Sequence, residues 1–467
     1  MWAVSFLLTA VQTARAEPSF EDTVRRARAS SLTAQMGEED LTMARHRMGQ
    51  SVARLMPQIS ASDMHTYRYN NPDKYTFSLD SEVDCDEEFS VLCLPFAITD
   101  GQITLPDNSL SNIFSLSGAL PVSSTSITGV LQQRLLGQMT HIQVGAQDER
   151  LVLDLVSQYA ELQYTVGALV MYEESLALSE ETLQAVQGKL RAGTATDLDL
   201  AQAELDVDEA ALAIAQIERA LPTAMERLEL LSGQPAAAGV RVCPFAEDVD
   251  TGTALDLEAA TTLAQAETEL RLDRLGRTSA RLGALPTLTV MGGLSYSGNG
   301  ADLDELTESF IFDNWYVGGS LSMTLFDGFG SHHSRREAAA SLRKTELDVE
   351  NTRRDLTLDD QELALELTEL AEDLQLSSRA LDLQAREVDA QRALYFESGE
   401  TSFDLYTQSR SLLEQQRLQH LALQRQQLQL TAQRWVTAGQ VEALLGQLFA
   451  REDAHAAAAS CRAISPT

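Results

Sequence analysis

Two aspartates stand at matching places in this chain. Asp199 follows Gly193 within LRAGTATDLDLAQAEL, and Asp404 follows Gly399 within FESGETSFDL. A glycine with positive φ closes a helix, and an acid early in the next helix caps it and complements its dipole. Brought around a common axis, such carboxylates would also attract cations. Other reactive groups are sparse. His332 and His333 are adjacent and do not share a helical face. Gly328-Phe329-Gly330 lacks the lysine of a phosphate loop. No Ser/His/Asp order and no H-E-x-x-H is found. The chain does not read as an enzyme, and no cofactor or metal site is expected. Of four cysteines, Cys85 and Cys93 lie in one acidic loop, a spacing that suits a local disulfide in an oxidising compartment, and no C-x-x-C pair suggests zinc.

The elements that position the two turns are themselves duplicated. Gly193 and Gly399 stand close to half the chain length apart, and Ala-Arg-Leu-Met-Pro57 is echoed by Ala-Arg-Leu-Gly-Ala-Leu-Pro286. Each half reads as helix, strand, strand, long helix, turn, long helix. The opening helices are predicted over Phe20–Leu55 and Leu255–Arg281, each stopped by the proline that follows. The long helices are predicted over Thr125–Arg191 and Ser331–Glu397, on the order of 100 Å each. Their partners run over Thr196–Leu231 and Ser402–Leu448, with Pro222 expected to kink or break the first. Apolar spacings of three and four recur along them, so they need partners to bury a coiled-coil seam.

After each proline the period changes to two. Leu288, Val290, Gly292, Leu294 and Tyr296 alternate with small or polar residues, as do Trp315, Val317, Gly319 and Leu321. Strands are expected near 57–69, 111–122, 286–297 and 314–326. One apolar face and one small polar face describe a half-buried soluble hairpin, and equally a membrane strand with a lipid side and a wet side. The first hairpin carries an insertion of about two dozen residues, which holds Cys85 and Cys93.

The formal net charge of −34 repels phosphate, so nucleic acid is not an expected partner. Such charge describes either solvated helix surfaces or an acidic lumen that favours cations. Residues 3–11 form a short apolar run before Ala14-Arg15-Ala16, the pattern of a secretory signal ending at residue 16. Elsewhere no run of eighteen apolar residues suggests a membrane helix.

MTLFDGFG at 323–330, the helix SRREAAASLRKTELDVENTRRDL after it, the paired glycine-to-aspartate turns and the paired Ala-Arg-Leu…Pro motifs together resemble the TolC-type outer-membrane efflux family. The resemblance covers nearly the whole mature length. It implies a mainly α fold with a β-barrel contribution: a homotrimer with four transmembrane strands per protomer in a twelve-stranded barrel, and a coiled-coil α-barrel crossing the periplasm. The implied function is the outer-membrane exit duct of a tripartite efflux or type I secretion system. Its implied partners are outer-membrane lipid, a periplasmic adaptor and an inner-membrane pump. The alternative is a periplasmic coiled-coil scaffold or adaptor-like protein without membrane insertion. The implied organisation is a signal at 1–16, a first repeat at 17–231, a linker in an equatorial belt at 232–254, a second repeat at 255–450 and a disordered tail at 451–467. Gly193, Asp199 and Gly399 then mark the periplasmic tip. Asp404 faces the pore entrance, with Thr407 where relatives often carry a second aspartate. The second turn, Glu400-Thr401-Ser402, lacks the base that locks the tip in some relatives. Cys243 and Cys461 pair if the linker and the C-terminal region meet in the belt.

Overall fold

The computed structural model describes residues 18–68, 109–233, 240–245, 255–300, 314–457 and 461–464. Cys85 and Cys93 lie outside them, as does the segment 1–16. The chain divides into two compact units. A helical unit comprises Met1–His46, Arg134–Arg274 and Ala339–Thr467, and a strand-bearing unit comprises Arg47–Gln133 and Leu275–Ala338.

In the strand-bearing unit, β1 (Gln58–Arg68), β2 (Ser109–Val122), β4 (Thr287–Gly300) and β5 (Asn314–Ser322) form one antiparallel sheet in the order β1-β2-β4-β5. β1 and β5 are edges with no further partner among the described residues. The register sorts the side chains into two faces. Ala61, Leu116, Leu294 and Trp315 stand opposite one another, as do Val122, Leu288 and Leu321. This apolar face is open: Ile59 and Val317 are each 75% exposed. The other face carries Ser60, Ser62, Ser115, Ser117 and Ser295, and hydroxyls bond across it at 2.9 Å (Ser60–Ser117) and 2.7 Å (Ser62–Ser115). The period-two reading therefore holds cleanly in β2, β4 and β5, while β1 places Asp63 and His65 on the apolar side; among the described residues Asn112 and Tyr296 on that side are buried and most of the others are open.

The helices enter and leave this sheet from one end. α2 (Leu32–Ala53) leads into β1 and α5 (Thr261–Leu282) into β4; β2 leads into α3 (Ser124–Arg191) and β5 into α6 (Gly330–Ala393). At that end Ser124 Oγ donates to the Leu282 carbonyl at 2.9 Å, and the hydroxyls of Thr128 and Ser279 lie 3.1 Å apart.

The helical unit contains α1 (Phe20–Ser30), most of α3 and α6, α4 (Asp197–Ser232), α7 (Phe403–Thr437), α8 (Val441–Ala457) and a two-stranded ribbon of β3 (Val240–Val242) with β6 (Arg462–Ile464). In α6 the buried positions Leu342, Val349, Leu356, Leu363, Leu370, Ser377 and Gln384 recur every seventh residue, a coiled-coil seam inside the chain. Leu358, Leu365, Leu376 and Leu383 on the same helix remain exposed. A second core joins Phe20 and Val24 of α1, Leu155 and Tyr159 of α3, Leu228 of α4, Trp435 of α7 and Leu444 of α8.

Several boundaries differ from the sequence reading. The first helix is two, because Ser31 turns to extended backbone and its hydroxyl accepts from Ala34 N–H at 3.1 Å, starting α2. α5 begins at Thr261, not Leu255. Pro222 does not end α4, which runs unbroken to Ser232. The last long helix stops at Gly439, whose φ is 69°; a Cβ there would lie 2.2 Å from the Ala259 carbonyl oxygen. Residues 451–467, expected to be disordered, instead hold the end of α8 and β6. The reason is a disulfide between Cys461 and Cys243, with β6 paired to β3.

Candidate functional site at the helical turns

The first turn follows from its sequence. Gly193 takes φ 78°, and Thr194 N–H reaches back to the Lys189 carbonyl at 2.9 Å, closing α3. Thr196 and Asp199 then form a reciprocal capping box. Thr196 N–H donates to the Asp199 carboxylate at 2.9 Å, and Asp199 N–H to Thr196 Oγ1 at 3.1 Å. The Asp199 carboxylate is thus occupied with starting α4.

The second turn differs. α6 ends in a widened π turn over Leu394–Ser398, capped by Gly399 at φ 70°, and Glu400 N–H bonds the Leu394 carbonyl at 3.1 Å. Ser402, not an acid, caps α7 by accepting from Leu405 N–H at 3.3 Å. Asp404 lies one residue into α7, exposed, and its carboxylate takes no hydrogen bond or ion pair among the described residues. The two repeats therefore place a capping carboxylate in one turn and a free one in the other. Thr407 does not join Asp404 at the surface. It is buried, accepts from Gln202 Nε2 of α4 at 3.2 Å and donates to the Asp404 carbonyl at 3.0 Å. The spacing from Asp404 turns it toward the neighbouring helix α4.

An aromatic cluster holds the two turns together. Tyr395, Phe403 and Tyr406 are buried with Val186 and Ala203, and Tyr395 packs on Phe403 with ring centres 5.2 Å apart. Lys189, near the end of α3, donates to the Tyr395 carbonyl and lies over the Tyr395 ring. A base from the other helical hairpin thus meets the second turn. Burial first, and then the Asp199 charge, push the Tyr395 phenol up.

A polar cluster that the sequence reading missed sits one turn farther along α7. Arg410 is buried; its Nη2 donates to Ser175 Oγ at 3.1 Å and to Ser179 Oγ, and stands 3.5 Å from Glu414. Burial raises the Asp206 carboxyl beside it, partly offset by the Arg410 charge. Arginine inside the apolar period of α7 was the available signal. In the second core, Phe20 N–H donates to both oxygens of the buried Glu452 at 2.9 and 3.0 Å, and Gln163 Nε2 to the Cys243 carbonyl at 2.9 Å. The Cα atoms of Cys243 and Cys461 are 4.1 Å apart. His332 and His333 sit exposed at the start of α6. Among the described residues no group of three or more His, Cys, Asp or Glu is arranged to hold a metal, and no helix is long and apolar enough to cross a membrane.

Residues 255–433 match the family model described as outer membrane efflux protein. Nodulation protein T of Rhizobium leguminosarum bv. trifolii is 25% identical over 190 residues, 38% of this chain and 39% of that protein. The chain thus spans well under half the length of that curated relative. Among solved structures, CusC superposes with a TM-score of 0.73 at 16% identity over 90% of this chain and 92% of that one. VceC from Vibrio cholerae gives 0.70 at 14% identity over 90% and 96%, and the Campylobacter jejuni CmeC outer membrane channel 0.71 at 14% over 90% and 86%. The resemblance to outer-membrane efflux proteins is therefore present in sequence over the second repeat and in fold over most of the chain.

Proposed function

We propose that this protein is a passive exit duct in the outer membrane, serving a tripartite efflux or type I secretion system. The observation that carries this reading is the sheet β1-β2-β4-β5, with an open apolar face, a hydroxyl-lined face and two unpaired edges. In lipid every backbone polar group needs a partner, so a four-stranded sheet must close with other copies. Three copies joined edge to edge give twelve strands, with the serine face lining the lumen and the face of Trp315, Val317 and Leu321 against acyl chains. The exposed leucines at 358, 365, 376 and 383 supply a second seam for neighbouring copies. In this arrangement 1–16 is the export signal. Residues 232–254 and the C-terminal ribbon form a belt around the helices, and the loop with Cys85 and Cys93 faces outward with those two cysteines bonded. Gly193, Asp199, Gly399 and Asp404 lie at the periplasmic tip, where adaptor and pump engage. The alternative of a periplasmic scaffold leaves the apolar sheet face without a role.

Carbonate washing of native membranes followed by chemical cross-linking tests the reading. The protein should remain in the outer-membrane fraction and give a ladder ending at three chains. A monomer released by carbonate without detergent would overturn it.

A further inference from the structure

The register of the sheet puts all four strand-to-helix junctions at one end. Gln58 begins β1 opposite Ala119 near the close of β2, and Thr287 begins β4 opposite Ser322 at the close of β5. The charge at this end departs from the rest of the chain. Although 69 of the 467 residues are acidic, none occurs in 41–62, 109–147 or 274–301. The same end carries Arg47, Arg54, Arg277, Arg281, Arg335 and Arg336. None of these six forms an ion pair among the described residues, whereas every arginine–carboxylate bridge found there lies in the helical unit. Of the two acids that follow β5 in this unit, Asp327 is turned to the start of α6, where it accepts from Ser331 N–H at 2.6 Å, and Glu337 stands beside Arg336 in sequence without an ion pair to it among the described residues.

Apolar groups project beside these arginines. Leu325 is 88% exposed and Phe326 74%, and Met56, Leu285 and Phe329 are exposed as well. Phe329 is the one non-glycine residue with positive φ among those described, and its ring meets that of Phe326 edge-on at 5.6 Å. A backbone conformation that costs energy is kept here, and with it the bulky ring stays in the open. The sequences joining the strands at the opposite end have the reverse charge: 69–108 holds nine acids against Lys74, and 301–313 holds five acids and no base.

We infer that the junction end of the sheet is a collar that docks the anionic phospholipid headgroups of the periplasmic leaflet. The inference rests on the membrane reading above and adds to it a side and a lipid class. Unpaired guanidinium groups at the border of an apolar face have the chemistry to take phosphate oxygens in pairs while their stems lie along acyl chains. The aromatic and aliphatic groups at 325, 326 and 329 would seat at headgroup depth. Six arginines face two acids, Asp327 and Glu337, at these junctions, and none of the six is paired among the described residues, so most of the counter-charge must come from outside the chain.

The test uses the full chain purified in neutral detergent and titrated with phosphatidylglycerol, phosphatidylcholine or inorganic phosphate. Bound lipid is counted by native mass spectrometry and thermal stabilisation is followed in parallel. Phosphatidylglycerol should be retained and should stabilise, and inorganic phosphate should not reproduce the effect. The variant Arg54→Gln, Arg281→Gln, Arg335→Gln and Arg336→Gln should lose that retention, by about fivefold per arginine removed. Arg227→Gln on α4 should not change it. If the fourfold variant fails to accumulate, the four single variants carry the same comparison. Equal retention of the two lipids, or an unchanged preference in the variants, overturns the collar. If carbonate-washed membranes still hold the protein in that case, only the collar is lost; release by carbonate removes the membrane reading with it.

Discussion

The ammonium group of Lys189 lies 4.3 Å from the centre of the Tyr395 ring and 5.4 Å from that of Phe396. It also donates to the Tyr395 carbonyl, inside the π turn. One side chain from the first repeat therefore fastens the last turn of α6 in the second. Lys189→Met keeps the stem and removes the charge, and should cost about 2 kcal/mol from the lost cation–π contact and charged hydrogen bond. Hydrogen exchange should accelerate over 394–401 and stay unchanged around Leu155 and Leu228 in the other core. Uniform protection in both places would show that the aromatic cluster alone holds the turn.

The covalent link between Cys243 and Cys461 closes a sequence separation of 218 residues. It holds β6 on β3 and carries the C-terminal segment back to the core that contains Trp435. Cross-links over long loops stabilise mainly through the unfolded chain, by about 2–4 kcal/mol. Cys461→Ser should lower the guanidinium midpoint followed by tryptophan fluorescence, and reducing agent should do the same to the parent chain but not to the variant. Equal midpoints with and without reductant would mean that the ribbon is held by packing alone.

Glu452 gives this core a pH dependence. Its carboxylate is raised above the ordinary value of 4.5, chiefly by burial, against the lowering effect of the Phe20 and Glu21 N–H groups. Tyr159, Arg241 and Asp453 act on it electrostatically, and Arg451 and His455 line the same cavity. The folded state thus holds the proton more tightly than the unfolded chain. Stability contributed here is fully present below about pH 4.5 and falls as pH rises through the raised value. Glu452→Gln keeps an oxygen that accepts from Phe20 N–H and removes the charge. Denaturation between pH 4 and pH 7 should lose this part of its slope, with neutral-pH stability equal or higher. A variant less stable than the parent at pH 7, with the slope intact, would assign the dependence to another group.

The strands were legible because the period of two survives where one face is open and the other carries serines, so neither side blurs the alternation. The turns at Gly193 and Gly399 were legible because positive φ favours glycine. What escaped depends on partners distant in sequence. The bond between Thr407 and Gln202 joins helices of different repeats and leaves no local pattern. Lys189 went unnoticed because a base was sought inside 400–402, while packing delivers one from the other hairpin. The alanine-rich stretch after Arg451 resembled a loose tail, and the ties that hold its neighbours, the Cys461–Cys243 bond, the β6–β3 pairing and the Arg462–Glu173 ion pair, all reach residues distant in sequence. Gly439 lies within a continuous apolar period, and the Ala259 carbonyl that excludes a side chain there comes from the turn before α5.

Asp199 and Asp404 separate a capping carboxylate from a free one. The first carboxylate is bonded to Thr196 N–H, and the second is free while Ser402 caps its helix. Asp199→Ala should therefore cost about 1 kcal/mol of local stability through the lost capping box. Asp404→Ala should change stability by less than about 0.5 kcal/mol, the usual range for an exposed site without partners. Conductance should respond in the opposite order. With three copies around an axis, three Asp404 carboxylates would concentrate cations at the entrance. Planar-bilayer recording in asymmetric salt should show a smaller cation preference for Asp404→Ala and a nearly unchanged one for Asp199→Ala. Asp404→Asn, which removes charge and keeps shape, should behave like the alanine variant. If the preference stays with the parent value in both Asp404 variants, the entrance charge lies elsewhere and the free carboxylate is only part of the solvated surface.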